Sequence, residues 1–457
     1  MHNEMVSVDS SKFRKKMLAE ICVGCMGCAL IALAIAANQQ WFDRHFLPAF
    51  FVTRAEYVRM EMDVRIAVAA IGLLIALLAR RPLARAIAAS PSRAISIVLA
   101  IVMAFGVSEF LLRRVHLRAA EEVPERKEPL RHLDARLGWL FVPSRVGYQS
   151  NNGRRVQYAF DANGYRVPRV GQPVDFNQPS VVFTGESMMA GEKLLWSETI
   201  PAQTSQLLGI QSANIAVSGY ASDQAYLRLA SELPRFKHPV AVVSLFTPAI
   251  FDRNLDDDRP HLAAGLVLLP PAPHWRLLAL ARRIIRYRSE ESIERGIAVT
   301  RQILRATVQL AQSRGAVPLV VVPEFAPEEP RERQLRKRIL DGLPYVVVDL
   351  DPRHRVVDDG HPDAVAARAM AIAIAEKLRD GGVRRSGTNS ASSTLHETQI
   401  HEHTYYSTGS GNGQLRPFAD PASSRTAVDA ERCRARRIHR PQCRRVRRMS
   451  LRIRARS

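Results

Sequence analysis

Val181-Val182-Phe183-Thr184-Gly185-Glu186-Ser187 reads as a short strand, apolar on both of its faces, that stops at a glycine and delivers a serine just beyond its carboxyl end. Similar runs recur downstream at Asn214 to Val217, Val240 to Phe246, Pro318 to Val322 and Tyr345 to Leu350. Amphipathic stretches separate them, at Ser197 to Leu208, Ser222 to Leu233, Ile293 to Arg314, Glu329 to Leu340 and Pro362 to Leu378. Continuous Val-rich strands alternating with helices imply an α/β domain: a central parallel sheet of about five strands, covered by helices on both sides.

Ligands of such a sheet meet the carboxyl ends of its strands. Ser187 follows one such end, Gly219 the next, and the Thr247 to Asn254 loop the third. Asp358, Asp359 and His361 follow the last strand and directly precede the final helix, so the same edge is within their reach. A serine hydroxyl is a weak nucleophile at neutral pH; it needs a base within hydrogen-bond reach and a carboxylate that holds this base in the right tautomer. Asp358-Asp359-Gly360-His361-Pro362 offers both from one turn. Ser187 is the candidate nucleophile, His361 the base, and either Asp358 or Asp359 the orienting acid.

Gly185-Glu186-Ser187, Gly219 within Asn214-Ile215-Ala216-Val217-Ser218-Gly219-Tyr220, and Asp358-x-x-His361 resemble, in order and separation, the sequence blocks of the SGNH (GDSL-type) serine hydrolases. The resemblance covers roughly Pro179 to Leu378. The Leu137-Gly138-Trp139 and Asn163-Gly164-Tyr165-Arg166 lead-in is similar to that of membrane-anchored bacterial members. It implies a flavodoxin-like three-layer sandwich and esterase, lipase, carbohydrate deacetylase or O-acyl-transfer activity. By position it makes Ser187 the nucleophile, His361 the general base and Asp358 the orienting acid, with Asp359 as the alternative. The backbone N–H groups of Ser187 and Gly219 become the oxyanion donors. Two departures stand out. Glu186 replaces the usual Asp, and the block after the middle strand reads Phe246-Thr247-Pro248-Ala249-Ile250-Phe251-Asp252, without the expected asparagine. Ala249 occupies its place; Asn254 is the candidate substitute, unless two donors suffice.

The flanks differ sharply from this core. Ile21 to Ala37, Ile66 to Leu78 and Ala94 to Leu112 are apolar runs that read as three transmembrane helices. Lys12, Arg14, Lys15 and Lys16, and then Arg80, Arg81, Arg85 and Arg93, are the concentrated basic flanks, which sets the N-terminus and second loop in the cytoplasm. Three crossings then put the α/β domain on the outer, periplasmic side of a bacterial inner membrane; Arg113, Arg114 and Arg118 run mildly against this. Residues 1–112 are thus read as anchor, 113–178 as a lead-in or cap, 179–383 as the hydrolase-like domain, and 384–457 as a disordered tail.

The 457-residue chain carries a net charge of +21, but 14 Arg against 5 acidic residues in Ser386 to Ser457 supply much of it. With neither zinc-ligand spacing nor a strand of paired aromatics, this excess does not point to nucleic acid. Cys22, Cys25 and Cys28 lie in an apolar run with Gly24 and Gly27, which reads as helix packing rather than a metal site, and the remaining pair, Cys433 and Cys443, is in the tail. The central domain has no cysteine, so neither a disulfide framework nor a thiol nucleophile is available there. His238, His261 and His274 read as surface residues, and Asp256, Asp257 and Asp258 as a solvated acidic loop. No metal or cofactor is expected. The expected function is a serine esterase, O-acyl hydrolase or acyltransferase acting on an acylated cell-envelope glycan or small esters. The alternative is a non-catalytic glycan-binding or polysaccharide-assembly subunit that keeps the fold.

Overall fold

A computed structural model of the chain describes residues 2–47, 52–113, 128–151 and 153–383. The arginine-rich tail 384–457, expected to be disordered, lies outside the described residues, as do Arg114 and Arg118.

The N-terminal part is helical: α1 (His2–Ala36), α2 (Gln39–His45), α3 (Arg54–Leu73), α4 (Arg80–Ala89) and α5 (Pro91–Leu112). A π-helical segment, Leu74–Ala79, joins α3 to α4. Among the described residues two helices are long and apolar enough to cross a membrane, Phe13–Ala36 and Arg54–Ala89, while Val98–Leu112 is a shorter apolar run within α5. The middle stretch, brief as an apolar run in the sequence, therefore sits inside a 36-residue helix. Gly27 packs against that helix so closely that a Cβ would stand 2.7 Å from Gly72 O and Ala76 N, whereas Cys22, Cys25 and Cys28, read as part of the same packing, are exposed.

Twelve strands follow: β1 (Arg131–Asp134), β2 (Gly138–Phe141), β3 (Arg145–Asn151), β4 (Arg154–Phe160), β5 (Arg166–Val167), β6 (Ser180–Phe183), β7 (Gln211–Asn214), β8 (Pro239–Leu245), β9 (His261–Leu262), β10 (Leu268–Leu269), β11 (Val317–Glu324) and β12 (Tyr345–Asp349). The interleaved helices are α6 (Ser187–Ala190), α7 (Ile200–Leu208), α8 (Ser222–Glu232), α9 (Pro248–Asn254), α10 (Arg276–Ile284), α11 (Glu290–Ser313), α12 (Pro330–Leu340) and α13 (Ala364–Asp380).

The main sheet has eight strands in the order β12-β11-β8-β6-β7-β5-β4-β3. Its first five are parallel to one another; β6, β8, β11 and β12 coincide with Val-rich runs of the sequence, while β7 overlaps the run read at Asn214 to Val217 only at Asn214. Numbered along the chain from β6, their order is 2-1-3-4-5, that of a flavodoxin-like sheet, with the switch point between β6 and β8. All four residues of β6 are buried, which explains its lack of polar alternation. β7 ends three residues earlier than the apolar pattern suggests: Ile215, Ala216 and Val217 are buried too, but beyond the ladder, on the way into the Gly219 turn.

The lead-in is not a separate cap. β3, β4 and β5 extend the same sheet in antiparallel fashion, joined to β7 through the Arg166 and Asn214 pair. Its β1–β2 hairpin sends Trp139 and Phe141 into the principal core beside Met188 and Met189.

Candidate active site

The turn after β6 is dictated by crowding. Gly185 has φ +148, and a Cβ there would meet Met189 Cβ at 3.3 Å and Leu245 Cβ at 3.4 Å. Glu186 then caps the short helix α6, its Oε1 accepting from Met188 N at 3.0 Å. This leaves Ser187 as the first residue of α6, at the carboxyl end of β6 and beside the switch point, with the residue only 6% exposed.

The opposite wall is the loop after β12. Val356 N donates to His361 O at 2.7 Å and Arg355 Nη1 to Gly360 O at 2.7 Å, closing a tight turn in which Asp358 and Gly360 take φ +62 and +80. Asp363 caps α13 by accepting from Val365 N and Ala366 N, fixing the turn against the final helix. From this turn His361 Nε2 stands 2.8 Å from Ser187 Oγ. Its Nδ1 hydrogen-bonds the carboxylate of Asp359. The resemblance made Asp358 the orienting acid with Asp359 as the alternative; the structure corrects this, since Asp359 is the one on the imidazole and Asp358 takes the left-handed backbone position next to it.

Two charged residues that the motifs did not point to complete the surroundings. Lys193, itself at φ +62, pairs with Asp359 through its ammonium, and its backbone N–H donates to Tyr158 Oη at 2.7 Å. Arg253 from α9 reaches Glu186 Oε2 at 3.3 Å through Nη2 and Tyr220 O at 2.8 Å through Nη1. Glu186 also accepts from the Ser187 hydroxyl, so this carboxylate touches nucleophile and arginine alike. Asn254, the candidate oxyanion donor, points elsewhere: its Nδ2 donates to Thr300 Oγ1 at 2.9 Å and its Oδ1 accepts from Asp223 N at 3.4 Å. The side chain from the third loop that joins the Ser187 surroundings is Arg253, one residue earlier.

Charge follows from these contacts. Burial raises the Asp359 pKa, but hydrogen bonds from His361 and Lys193 outweigh it and hold the carboxyl well below the usual range. Glu186 is likewise pushed up by burial and brought below its ordinary value by Arg253 and His361. For His361, burial acts downward, yet the Asp359 hydrogen bond and the negative charges of Glu192, Glu186 and Asp359 prevail and raise it above 6.5. The arrangement can pass a proton from a hydroxyl to an imidazole and stabilise the resulting imidazolium.

The lead-in supports this edge from below. Trp139 Nε1 donates to Ser218 O at 2.9 Å, and the Tyr220 hydroxyl donates to Trp139 O at 2.6 Å. Gly219, between them, has φ +83, and a Cβ would lie 3.2 Å from Trp139 Cζ2. Arg166, fully buried, donates from its guanidinium to the carbonyls of Ala190, Gly191 and Leu194, while Asn214 Nδ2 donates to Met189 O at 3.1 Å. The Leu-Gly-Trp and Asn-Gly-Tyr-Arg elements thus brace the Gly219 turn and the nucleophile helix. The acidic run after α9 stays partly exposed, as expected, and is also ion-paired: Asp256 with Arg288 at 2.7 Å, and Asp257 with His274 at 2.7 Å and Arg282 at 3.6 Å. Among the described residues no cluster of three or more His, Cys, Asp or Glu has the arrangement of a metal site.

No family model and no curated protein matches the chain. Several solved structures are similar to it. An acetyl xylan esterase from the rumen bacterium Butyrivibrio proteoclasticus aligns at 11% identity with a TM-score of 0.29, over 46% of this chain and 66% of its own. A GDSL-like lipase from Bacteroides thetaiotaomicron aligns at 16% identity and a TM-score of 0.26, over 46% of this chain and 92% of its own. A family two carbohydrate esterase from Clostridium thermocellum aligns at 11% identity and a TM-score of 0.30, over 46% of this chain and 67% of its own.

Proposed function

We propose that the chain is a membrane-anchored serine esterase or O-acyltransferase of the SGNH type that works through an acyl-enzyme on Ser187. The observation that carries this reading is the continuous line of contacts from Ser187 Oγ through His361 to Asp359, with 2.8 Å between hydroxyl and imidazole. In the proposed reaction His361 Nε2 takes the hydroxyl proton as Ser187 Oγ attacks the ester carbonyl. Asp359, paired with Lys193, holds Nδ1 protonated and stabilises the imidazolium. His361 then returns the proton to the departing alcohol, and the acyl group stays on Ser187. Water as second substrate gives hydrolysis; a sugar hydroxyl gives transfer. The N–H groups of Ser187 and Gly219 are the oxyanion donors in this scheme, each worth roughly 3 to 4 kcal/mol in favourable cases.

The proposed setting is the periplasmic face of a bacterial inner membrane, with an acylated cell-envelope glycan or a small ester as substrate. In this setting α1, the α3–α4 helix and α5 each cross, which puts the basic flanks Lys12 to Lys16 and Arg80 to Arg93 on one side. The ends of the helices opposite those flanks meet the α/β domain: Arg44 pairs with Glu290 at 3.6 Å, Arg54 with Glu329 at 3.6 Å, and Glu109 caps α10.

The full chain, reconstituted in nanodiscs and treated with a fluorophosphonate and a small acetyl ester, tests the proposal. Wild type is expected to be labelled and to release acetate, and Ser187→Ala to do neither. Equal inertness of wild type and variant, with retained glycan binding, sinks the enzyme reading and favours the non-catalytic subunit, which the position of Asn254 would permit.

A further inference from the structure

We propose that the segment from Trp275 to Tyr287, built around α10, is an in-plane helix lying on the membrane surface, with lipid phosphate headgroups as its partner. This rests on the membrane anchoring proposed above.

The sequence has the composition such a helix needs. From Trp275 to Tyr287 there are four Arg and no Asp or Glu; Arg282 and Arg286 also lie 3.6 and 3.5 Å from Asp257 and Asp252 but stay about half or more exposed. Interfacial helices combine an apolar face with Lys or Arg on the polar one, and Trp and Tyr favour the headgroup level. More than half of the exposed large hydrophobic side chains between residues 128 and 383 fall between Val267 and Tyr287. Trp275 is 73% exposed, Ile285 58% and Leu278 47%. Elsewhere in the described α/β domain the exposed ones, Leu133, Val146, Tyr148, Val357, Val365 and Ile372, are spread along the chain, so this density of apolar exposure calls for a partner.

Two tethers decide where the segment lies. At its start, the Glu109 carboxylate accepts from Arg276 N and Leu277 N, both at 2.9 Å, pinning the first turn of α10 to the last turn of α5. Beyond its far end, Arg288 N donates to His45 O at 2.9 Å, and Tyr287 stacks on His45 with ring centroids 5.3 Å apart and on Trp41 at 5.8 Å. His45 and Trp41 belong to α2, which begins three residues after α1 ends. The segment therefore spans between the ends of two apolar helices, along the border where their apolar runs stop. A helix so held lies parallel to the bilayer surface, its arginines level with the phosphates and its apolar side chains among the upper acyl carbons.

The test uses the full chain in nanodiscs of phosphatidylcholine and phosphatidylglycerol. The difference in fluorescence between wild type and Trp275→Phe isolates the Trp275 emission. It is expected to fall at least twofold with lipids brominated at acyl carbons 6 and 7, to change little with bromine at carbons 11 and 12, and to resist acrylamide. Ready quenching by acrylamide with no effect of bromolipid overturns the proposal. Phe105→Trp in the Trp275→Phe background separates the two readings, since a tryptophan in the middle of α5 should respond to the deep bromines. If the deep probe responds and Trp275 does not, the in-plane helix is wrong while the anchor stands. If neither responds, both fall.

Discussion

The Lys193 ammonium is paired with the Asp359 carboxylate whose other oxygen accepts the His361 Nδ1 hydrogen bond. Asp359 is thus held from two sides, and Lys193 is a positioning residue for the whole line. Lys193→Met is expected to lower kcat/KM by about 10- to 150-fold, the 1.5 to 3 kcal/mol of a hydrogen bond to a charged group, with little change in thermal midpoint. Asp359→Asn should cost more, about 10⁴-fold in kcat, because it disturbs the imidazole tautomer. Asp358→Asn should cost much less. Steady-state kinetics on a chromogenic acetyl ester checks all three, and equal losses for the two aspartate variants would reverse the assignment.

The pH profile follows from the same charges. His361 must be neutral to act as base, and its pKa lies above 6.5 despite burial because Asp359, Glu192 and Glu186 favour the imidazolium. The acid limb of kcat/KM is therefore expected above pH 6.5. Glu186→Gln removes one of the negative charges, destabilises the imidazolium and moves that limb to lower pH. Lys193→Met removes a positive charge and moves it the other way. Profiles of kcat/KM report the free enzyme and so read these shifts directly.

Glu186 is 1% exposed and relies on Arg253 for its charge balance. Arg253→Met is expected to destabilise the protein, by up to about 3 to 5 kcal/mol if the carboxylate stays ionised. In the wild type the Glu186 pKa is depressed, so its contribution is present above pH 4.5 and is lost as pH falls through the lower, folded value. The deficit of the variant should accordingly be largest near neutral pH and shrink as the solution is acidified. Denaturant titrations of both proteins at pH 7 and pH 4 measure it.

At Gly219, alanine meets two obstacles, the positive φ and the Trp139 ring 3.2 Å from the new Cβ. The backbone alone costs about 1 to 2 kcal/mol. Gly219→Ala is expected to lower the thermal midpoint and slow fluorophosphonate labelling. Trp139→Phe, which removes Cζ2, should relieve part of the penalty in the double variant. Additive losses would show that the ring does not set the shape of the turn.

The parts of this protein that can be read from its sequence are those where one residue type answers to one local cause. Four of the parallel strands are legible because burial leaves continuous Val-rich runs, while β7, Gln-Ser-Ala-Asn, has none and only the buried stretch that follows it shows; Ser187 and His361 are legible because each sits at a predictable strand end. Where the cause is distant, the pattern is silent. Arg166 binds carbonyls 24 to 28 residues away, and Arg253 reaches Glu186 across 67 residues; neither leaves a local periodicity. Nothing local singles out Lys193, because its partner Asp359 arrives from the far end of the domain. Of the lead-in strands only β5 is hidden by brevity, being two residues long and joined to β7 by a single pair, whereas β3 and β4 run seven residues each but keep exposed polar positions and so lack a continuous apolar run. The choice between Asp358 and Asp359 rested on turn geometry, which spacing alone does not fix.

That single pair has a practical corollary. Because β5 meets β7 only at the Arg166 and Asn214 pair, a chain begun at Pro179 would lose that pair together with the Asp175 contacts to Gln211, and the bare edge from Gln211 to Asn214 would be a template for another molecule to add a strand. Shortened versions of this protein should start no later than Glu128, and insolubility of a shorter one would report a naked sheet margin rather than a failed active site.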